Sequence, residues 1–208
     1  EKSAGKTFKE AVKDKWIVKE PIPEKVSNMK VLDAVKDAEK IADNVDFVFC
    51  ATNMPKQETQ RLEETYAKLE CPVISNNSAN RNVSDIPMII PEINADHMDI
   101  IPYQRKRLNT KRGFIAVKSN CSIQCYVPAL HALQEFGLKS ILVCTYQAIS
   151  GAGKNFKSWP EMIDNIIPFI PGEEEKSEQE PSKIWGNIKG NQIINAQLPL
   201  ITSQCLRV

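Results

Sequence analysis

Short apolar segments alternate with helix-like segments over the first 117 residues, and this alternation limits the possible folds more than any other feature. Strands joined by helical crossovers are typical of a mostly parallel sheet. The predicted strands are 16–19, 30–35, 45–51, 72–75, 88–90 and 114–117, and the predicted helices are 38–44 and 56–70. The sequence therefore predicts an α/β fold for this part of the chain.

The second part of the chain has longer elements. An apolar-periodic helix is predicted over 122–136 and ends at Gly137. A strand over 141–148, a glycine turn and a helix over 159–170 follow it. We place a domain boundary near Asn120, which gives one domain over 1–120 and another over 121–208.

Two strongly charged segments are predicted as solvated loops or connections, because charge runs usually face water. The first, 103–112, is rich in Lys and Arg, and the second, 173–180, is acidic. In the acidic segment the side chains expected in solvent are Glu174, Glu175, Glu178 and Glu180.

Composition and charge exclude several classes of protein. The 208 residues are 42% hydrophobic and 25% charged, with a net charge of +1. No run approaches the roughly 18 apolar residues that a membrane span needs, and the lysine-rich start lacks the apolar core of a signal peptide. A nucleic-acid binder would carry a basic stripe. We expect no membrane or nucleic-acid partner and a small molecule as ligand.

The cysteines lack the spacing of a disulfide scaffold or of a paired zinc motif. Cys121 and Cys125 are four residues apart and could form half of a metal site, but no second ligand pair accompanies them. We therefore predict a reducing, cytoplasmic setting and no metal. The six cysteines are Cys50, Cys71, Cys121, Cys125, Cys144 and Cys205.

Cys121 lies in the tetrapeptide SNCS, between the strand over 114–117 and the helix over 122–136. Free backbone amides and the dipole at a helix N-terminus favour thiolate over thiol. Cys121 is therefore a candidate nucleophile. The alternative is a small buried hydrophobic residue, because free cysteines are often buried.

A glycine turn follows the strand over 141–148. Gln147 lies at the end of that strand, and the residues 149–153 read ISGAG, a turn that lets a backbone approach a ligand closely. Taken alone, a turn of this kind indicates a structural loop more often than a binding site.

SNCS, followed after one helix and one strand by QAISGAG, resembles the aspartate-semialdehyde dehydrogenases, in the branch that includes the fungal and archaeal enzymes. Further segments agree in order and spacing: SAGK (3–6), VFCA (48–51), SNNSANR (75–81), PEIN (91–94), DNIIP (164–168), GEEEK (172–176) and SQCLRV (203–208). The resemblance implies a Rossmann-like NADP-binding domain, incomplete here, plus an α+β catalytic and dimerisation domain. It also implies a homodimer or homotetramer.

The resemblance implies a mechanism and its residues. The Cys121 thiolate attacks the aldehyde of aspartate 4-semialdehyde, hydride passes to NADP, and phosphate cleaves the thioester to give 4-aspartyl phosphate, with the physiological flow reversed. Gln147 orients the reacting group. Glu173 binds the substrate ammonium, and Arg207 binds its carboxylate through a planar fork.

Further positions correspond to the phosphate and cofactor sites of the family. Glu173 and Lys176 are three residues apart, so a helical turn would put both on one face, with opposite charges toward opposite ends of the substrate. The implied phosphate-binding residues are Arg81, Asn120 and Lys176. The implied cofactor-binding residues are Ser3, Ala51, Thr52, Ser150, Gly151 and Gly153.

The chain departs from the family in four respects. A dinucleotide domain has a glycine-rich first turn, but no glycine lies between Gly5 and Gly113. No histidine stands in the family's DGHT context. Thr52 to Pro55 follow the strand where small residues are common, and Asn77 replaces a common Ala. We therefore expect an internal piece of a longer protein, with little turnover when isolated.

Two alternative functions stay open. One is an acyl reductase similar to malonyl-CoA reductase, which would use the same Cys121. Glu173 favours an amino-acid substrate, because a malonyl group has no ammonium. The other is a catalytically inactive folding or dimerisation module.

Overall fold

The computed structural model describes residues 3–13 and 15–208. Its α-helices are α1 (Phe8–Val12), α2 (Glu24–Ser27), α3 (Ala38–Ala42), α4 (Lys56–Lys68), α5 (Pro91–Asn94), α6 (Ile101–Leu108), α7 (Ile123–His131) and α8 (Glu173–Ile184). Its strands are β1 (Val48–Cys50), β2 (Val73–Ser75), β3 (Ile115–Val117), β4 (Ser140–Gln147), β5 (Asn187–Lys189), β6 (Gln192–Ile194) and β7 (Leu200–Arg207). Short 3₁₀ turns span Ala95–Ile100, Gln134–Phe136, Ile149–Ala152 and Pro160–Met162.

The strands form three small sheets, two of them parallel. One has the order β1-β2-β3, and its strands end at Cys50, Ser75 and Val117. In the other, β4 pairs with β7, and the register puts Gln147 beside Arg207 at the carboxyl ends. β5 and β6 form an antiparallel hairpin. Ligands of open α/β sheets bind at carboxyl ends of strands, so two such edges are candidate sites.

Helix α4 packs on the first sheet because its buried residues recur at helical spacing. Its approach to β3 requires glycine, since a Cβ on Gly113 would lie 1.8 Å from the Ala67 carbonyl oxygen. The core also reaches α8, whose fully buried Ile184 belongs to the same cluster as Met88 and Ile123. The buried residues of α4 are Thr59, Leu62, Glu63, Tyr66 and Ala67.

The α/β prediction is confirmed, and the longer periodic segments give the predicted elements. The helix predicted over 122–136 divides into α7 and the 3₁₀ turn at Gln134–Phe136. The predictions 38–44, 56–70, 45–51, 72–75, 114–117 and 141–148 correspond to α3, α4, β1, β2, β3 and β4.

Three predicted strands are wrong. Residues 16–18 have no regular structure, and Ile17 is 92% exposed, because no strand of the described residues pairs with this apolar run. In place of the strands over 30–35 and 88–90, Lys30 makes one isolated bridge with Thr7, and Met88 makes one with Val117. Apolar composition predicts a strand only where a partner strand is available.

The helix predicted over 159–170 is also wrong. Only Pro160–Met162 forms a 3₁₀ turn, and Asp164 has a left-handed φ of 55° that interrupts a helix. Pro168 follows closely and cannot donate a backbone hydrogen bond. The basic segment 103–112, predicted as a connection, overlaps α6 instead.

The acidic segment 173–180 is not a loop but the start of α8, where acidic side chains suit the positive end of the helix dipole. Glu175 is exposed as predicted. Glu174 and Glu178 instead accept hydrogen bonds from the backbone N–H groups of Cys205 and Ser203, each at 3.0 Å. Glu180 is buried.

Among the described residues, no helix is long and apolar enough to cross a bilayer.

Replacing Gln104 by Met is expected to lower the free energy of unfolding by roughly 2–4 kcal/mol. The fully buried Gln104 amide donates to the carbonyls of Asp85 and Ile115 at 2.9 Å and accepts from the Ile115 N–H at 2.6 Å. Methionine would leave these backbone groups unpaired. Urea unfolding measures the loss, with exposed Gln57→Met as control. Equal stability of the two variants would contradict the role of Gln104.

Candidate active site

Cys121 lies in the turn between β3 and α7, two residues before the first helical residue. The side-chain oxygen of Asn120 accepts from the Ser122 N–H at 3.0 Å and from the Ser122 hydroxyl at 2.8 Å, which fixes the turn. Asn120 and Ser122 are buried, whereas Cys121 is exposed. The thiol is therefore presented to solvent by a rigid turn, which excludes the alternative of a buried hydrophobic residue.

A cavity of about 470 Å³ opens beside this thiol. Four residues singled out in the sequence line it, namely Cys121, Gln147, Ser150 and Gly151. The structure thus brings SNCS and the QAISGAG segment together around one space. The other lining residues are Ser122, Cys125, Tyr126, Val143, Cys144, Thr145, Tyr146 and Ala148.

Glu173, the first residue of α8, is the charged centre next to this cavity. Its carboxylate accepts from the Asn120 amide at 3.1 and 3.2 Å, from Lys176 Nζ at 2.6 Å and from Gln147 Nε2 at 3.5 Å. Burial raises the pKa of Glu173, but the hydrogen bonds and the charge of Lys176 outweigh it, so the net pKa is lowered. Glu173 is thus ionised at neutral pH. Lys176 pairs with Glu173, so the two charges do not point toward opposite ends of a substrate as the sequence predicted.

Arg207 supplies a positive charge beside Gln147. It ends β7 in register with Gln147, and its Nη1 donates to the Ala148 carbonyl at 3.1 Å. A Cβ on Gly151 would lie 3.4 Å from this nitrogen, so the glycine turn and the guanidinium are close neighbours. Glu173 and Arg207 therefore place opposite charges near Gln147.

Arg81 does not line the Cys121 cavity. The residue is 7% exposed, and its Nη1 donates to Glu180 at 2.9 Å while Nη2 donates to the Asn76 carbonyl at 3.1 Å. Its Nε is buried and has no partner among the described residues. Of the three residues assigned to phosphate, Asn120 and Lys176 meet at Glu173, and Arg81 connects to them only through Glu180.

The residues assigned to a cofactor divide between two places. Ser3 and Thr52 line a cavity of about 1050 Å³ at the carboxyl end of β1, and Ala51 lies exposed next to Thr52. Asn77 links the loop after β2 to the end of β1, since its amide donates to Cys50 Sγ at 3.2 Å and to Thr52 Oγ1 at 3.4 Å. Ser150 and Gly151 line the Cys121 cavity instead, and Gly153 closes their 3₁₀ turn with φ 67°.

Sequence reasoning missed Lys183 and wrongly assigned Glu180 to solvent. The buried Lys183 donates to the carbonyls of Arg81 at 2.7 Å and Val83 at 2.6 Å, and burial lowers its pKa to about 8. Glu180 and Lys183 lie three residues apart on one helix face with Ser177 and Ile184. The three-residue spacing of Glu180 and Lys183 could have predicted this shared helix face, but the acidic run indicated a solvated loop.

Within residues 3–13 and 15–208, no three His, Cys, Asp or Glu side chains are grouped so that they could hold a metal ion.

Two family models match the chain. The one described as "Semialdehyde dehydrogenase, NAD binding domain" matches residues 1–101, and "Semialdehyde dehydrogenase, dimerisation domain" matches residues 128–208.

Curated relatives agree with these matches. The chain is 36% identical over 192 residues to an aspartate-semialdehyde dehydrogenase of Aspergillus fumigatus, covering 91% of this chain and 51% of the relative. Identity to that of Archaeoglobus fulgidus is 34% over 208 residues, covering 100% and 58%. A malonyl CoA reductase (NADP) of Metallosphaera sedula is 33% identical over 190 residues, covering 91% and 51%. The chain thus spans little more than half the length of these relatives.

A solved structure resembles the whole chain. The crystal structure of aspartate semialdehyde dehydrogenase with NADP from Candida albicans superposes with a TM-score of 0.80 at 28% identity, covering 99% of this chain and 57% of that one.

Alkylation is expected to divide the six cysteines into two groups. Cys121, Cys125 and Cys144 are exposed, whereas Cys50, Cys71 and Cys205 are buried. With limiting iodoacetamide, peptide mass spectrometry should find the exposed group modified first and Cys121 ahead of Cys144, because Cys121 precedes a helix N-terminus. Labelling in urea controls for peptide recovery. Equal rates for all six cysteines in the native chain would contradict both the burial pattern and the reactive thiol.

Proposed function

The chain belongs to the semialdehyde dehydrogenase family, and from that premise we propose that its protein is an NADP-dependent aspartate-semialdehyde dehydrogenase of amino-acid biosynthesis. Its reaction is the reversible conversion of 4-aspartyl phosphate to aspartate 4-semialdehyde through a cysteine thioester. The observation that carries this proposal is the exposed Cys121 in a cavity lined by Gln147, which has Glu173 and Arg207 as neighbours.

Cys121 is the proposed nucleophile. In the oxidative direction its thiolate adds to the aldehyde carbon, and loss of hydride gives the thioester, which phosphate then cleaves with release of the thiolate. Gln147 lines the same cavity and offers an amide to the oxygen of the reacting group. The buried Asn120 and Ser122 on either side of Cys121 support this role, because they limit the movement of the turn.

Glu173 and Arg207 are the proposed contacts for the amino-acid end of the substrate. An ionised carboxylate suits an ammonium, and a guanidinium fork suits a carboxylate. The pair Glu173–Lys176 would have to open when substrate ammonium binds, which frees Lys176 for phosphate. After this exchange Glu173 pairs with the substrate ammonium, and Lys176 pairs with phosphate. Each charged group therefore keeps a partner of opposite charge.

NADP is the proposed cofactor, and it supplies the hydride acceptor when bound. The residues present fit a dinucleotide, because the larger cavity lies at the carboxyl end of β1 and offers the hydroxyls of Ser3 and Thr52 with the cations Lys36 and Arg61. Ser150 and Gly151 would contribute backbone from the turn beside Cys121. Ala51 and Gly153 complete the proposed set.

Phosphate is the proposed second substrate, with Arg81, Asn120 and Lys176 as its ligands. Self-assembly into a homodimer or homotetramer through residues 121–208 and a cytoplasmic location are part of the same proposal. The matched dimerisation domain at 128–208 supports the assembly.

A malonyl-CoA reductase is the alternative enzyme, and the relative from Metallosphaera sedula supports it. Both activities would use the thiol of Cys121. Glu173 favours the amino-acid substrate, because its carboxylate pairs with a cation here and a malonyl group offers none.

Replacing Cys121 by Ala in the full-length protein is expected to abolish phosphate-dependent NADPH formation from aspartate semialdehyde, because no thioester can form. Absorbance of NADPH measures the rate. Cys125→Ala is the matched control, since Cys125 lines the same cavity and should leave most of the activity. An active Cys121→Ala enzyme would refute the mechanism, and a wild type that uses only malonyl-CoA would favour the alternative.

Replacing Glu173 by Gln is expected to raise the KM for aspartate semialdehyde at least about tenfold, because a charge-assisted hydrogen bond contributes roughly 1.5–3 kcal/mol. Steady-state kinetics at saturating phosphate measure this change. Glu175→Gln is the control, because Glu175 is exposed on the same helix turn. A KM that changes equally in both variants would exclude Glu173 as the ammonium ligand.

A further inference from the structure

Glu180 joins two segments that approach the candidate site from different parts of the chain. One carboxylate oxygen accepts from Arg81 Nη1 at 2.9 Å, and the other accepts from the backbone N–H of Asn120 at 2.7 Å. The Glu180 side chain is 6% exposed. A single buried carboxylate thus contacts both a proposed phosphate ligand and the residue before the nucleophile.

We propose that Glu180 is a positioning residue that aligns the Arg81 guanidinium with the Cys121 turn, so that phosphate is delivered to the thioester. The inference rests on the proposed function for its phosphate readout. Glu180 itself touches neither the Cys121 cavity nor any reacting atom.

The hydrogen bonds of Arg81 support this role. Nη2 donates to the Asn76 carbonyl, so the same guanidinium holds the loop after β2. With Nη1 on Glu180 and Nη2 on the Asn76 carbonyl, the orientation of the guanidinium plane is fixed. A guanidinium held in one orientation suits an oxyanion such as phosphate, because its planar fork is already arranged for parallel hydrogen bonds.

Lys183 holds the backbone of the same loop from the next turn of α8. Its Nζ donates to the carbonyls of Arg81 and Val83. Glu180 therefore fixes the side chain of Arg81 while Lys183 fixes its main chain. Together they attach the loop to α8, whose first residue is Glu173, so the substrate and phosphate contacts share one rigid helix.

The Asn120 contact extends this alignment to the nucleophile. The N–H of Asn120 is bound by Glu180, its side-chain oxygen by Ser122, and its side-chain nitrogen by Glu173. Two of these contacts attach Asn120 to α8, and the third holds the turn itself. If the Glu180 contact is lost, the Cys121 turn is expected to move relative to α8.

The test is Glu180→Gln in the full-length protein, an isosteric change in which the amide nitrogen cannot accept a hydrogen bond. The KM for inorganic phosphate is expected to rise about tenfold, while the KM for aspartate semialdehyde stays within about twofold. A merely structural role would not separate these two constants. The alkylation rate of Cys121 relative to Cys144 is expected to change at least about threefold.

Two control variants accompany this test. Glu178→Gln removes a partly buried carboxylate from the same helix. Glu178 accepts from the Ser203 N–H rather than from Arg81, so this variant should leave the phosphate KM unchanged. Arg81→Gln should raise the phosphate KM by itself. Adding Glu180→Gln to it should raise that KM little further, since both changes remove the same Arg81–Glu180 contact.

If Glu180→Gln does not fold, a second variant still tests the proposal. The double variant Arg81→Met with Glu180→Gln removes the uncompensated buried cation, and its Cys121 alkylation rate should still differ from that of Arg81→Met alone. A phosphate KM in Glu180→Gln within twofold of that in Glu178→Gln would overturn the proposal. If the wild type makes no NADPH from aspartate semialdehyde, the proposed function fails, and the Cys121 alkylation rate alone decides on Glu180.

Discussion

The buried face of α8 is the contact on which the rest of the site depends. Its Ile184 belongs to the core of the first sheet, and its Glu180 binds both Arg81 and Asn120. A buried carboxylate between two donors is stable only while both remain, because an unpaired charge inside a protein is costly. The helix therefore fixes the loop after β2 and the turn before α7 in one arrangement, and it carries Glu173 as its first residue.

The second constraint is the parallel pairing of β4 with β7. The register puts Gln147 beside Arg207, and the glycine turn after β4 lets the guanidinium approach Gly151. Glu173 reaches the same place from α8. The opposite charges proposed to bind an amino-acid substrate thus come from two elements that meet at one strand end, and neither element alone would provide both.

The sequence predicted what is local. The position of Cys121 at a strand-to-helix turn follows from an apolar strand before it and an apolar-periodic helix after it, and β4 and α4 follow from similar patterns. What it missed depends on distant partners. Glu180 looks solvated until Arg81, 99 residues away, is placed beside it. β7 was not predicted as a strand because its pairing with β4 joins segments 60 residues apart. The strand predicted at residues 16–18 is wrong for the opposite reason, since no strand in the described part of the chain pairs with them.

The most direct test of the account is mass spectrometry of the full-length protein incubated with aspartate semialdehyde and NADP in phosphate-free buffer. The account predicts an acyl adduct on the peptide that contains Cys121, and the adduct should disappear when phosphate is added. Substrate turnover with an adduct on Cys125 or Cys144, or with no adduct on any cysteine, would contradict the assignment of Cys121 as the nucleophile.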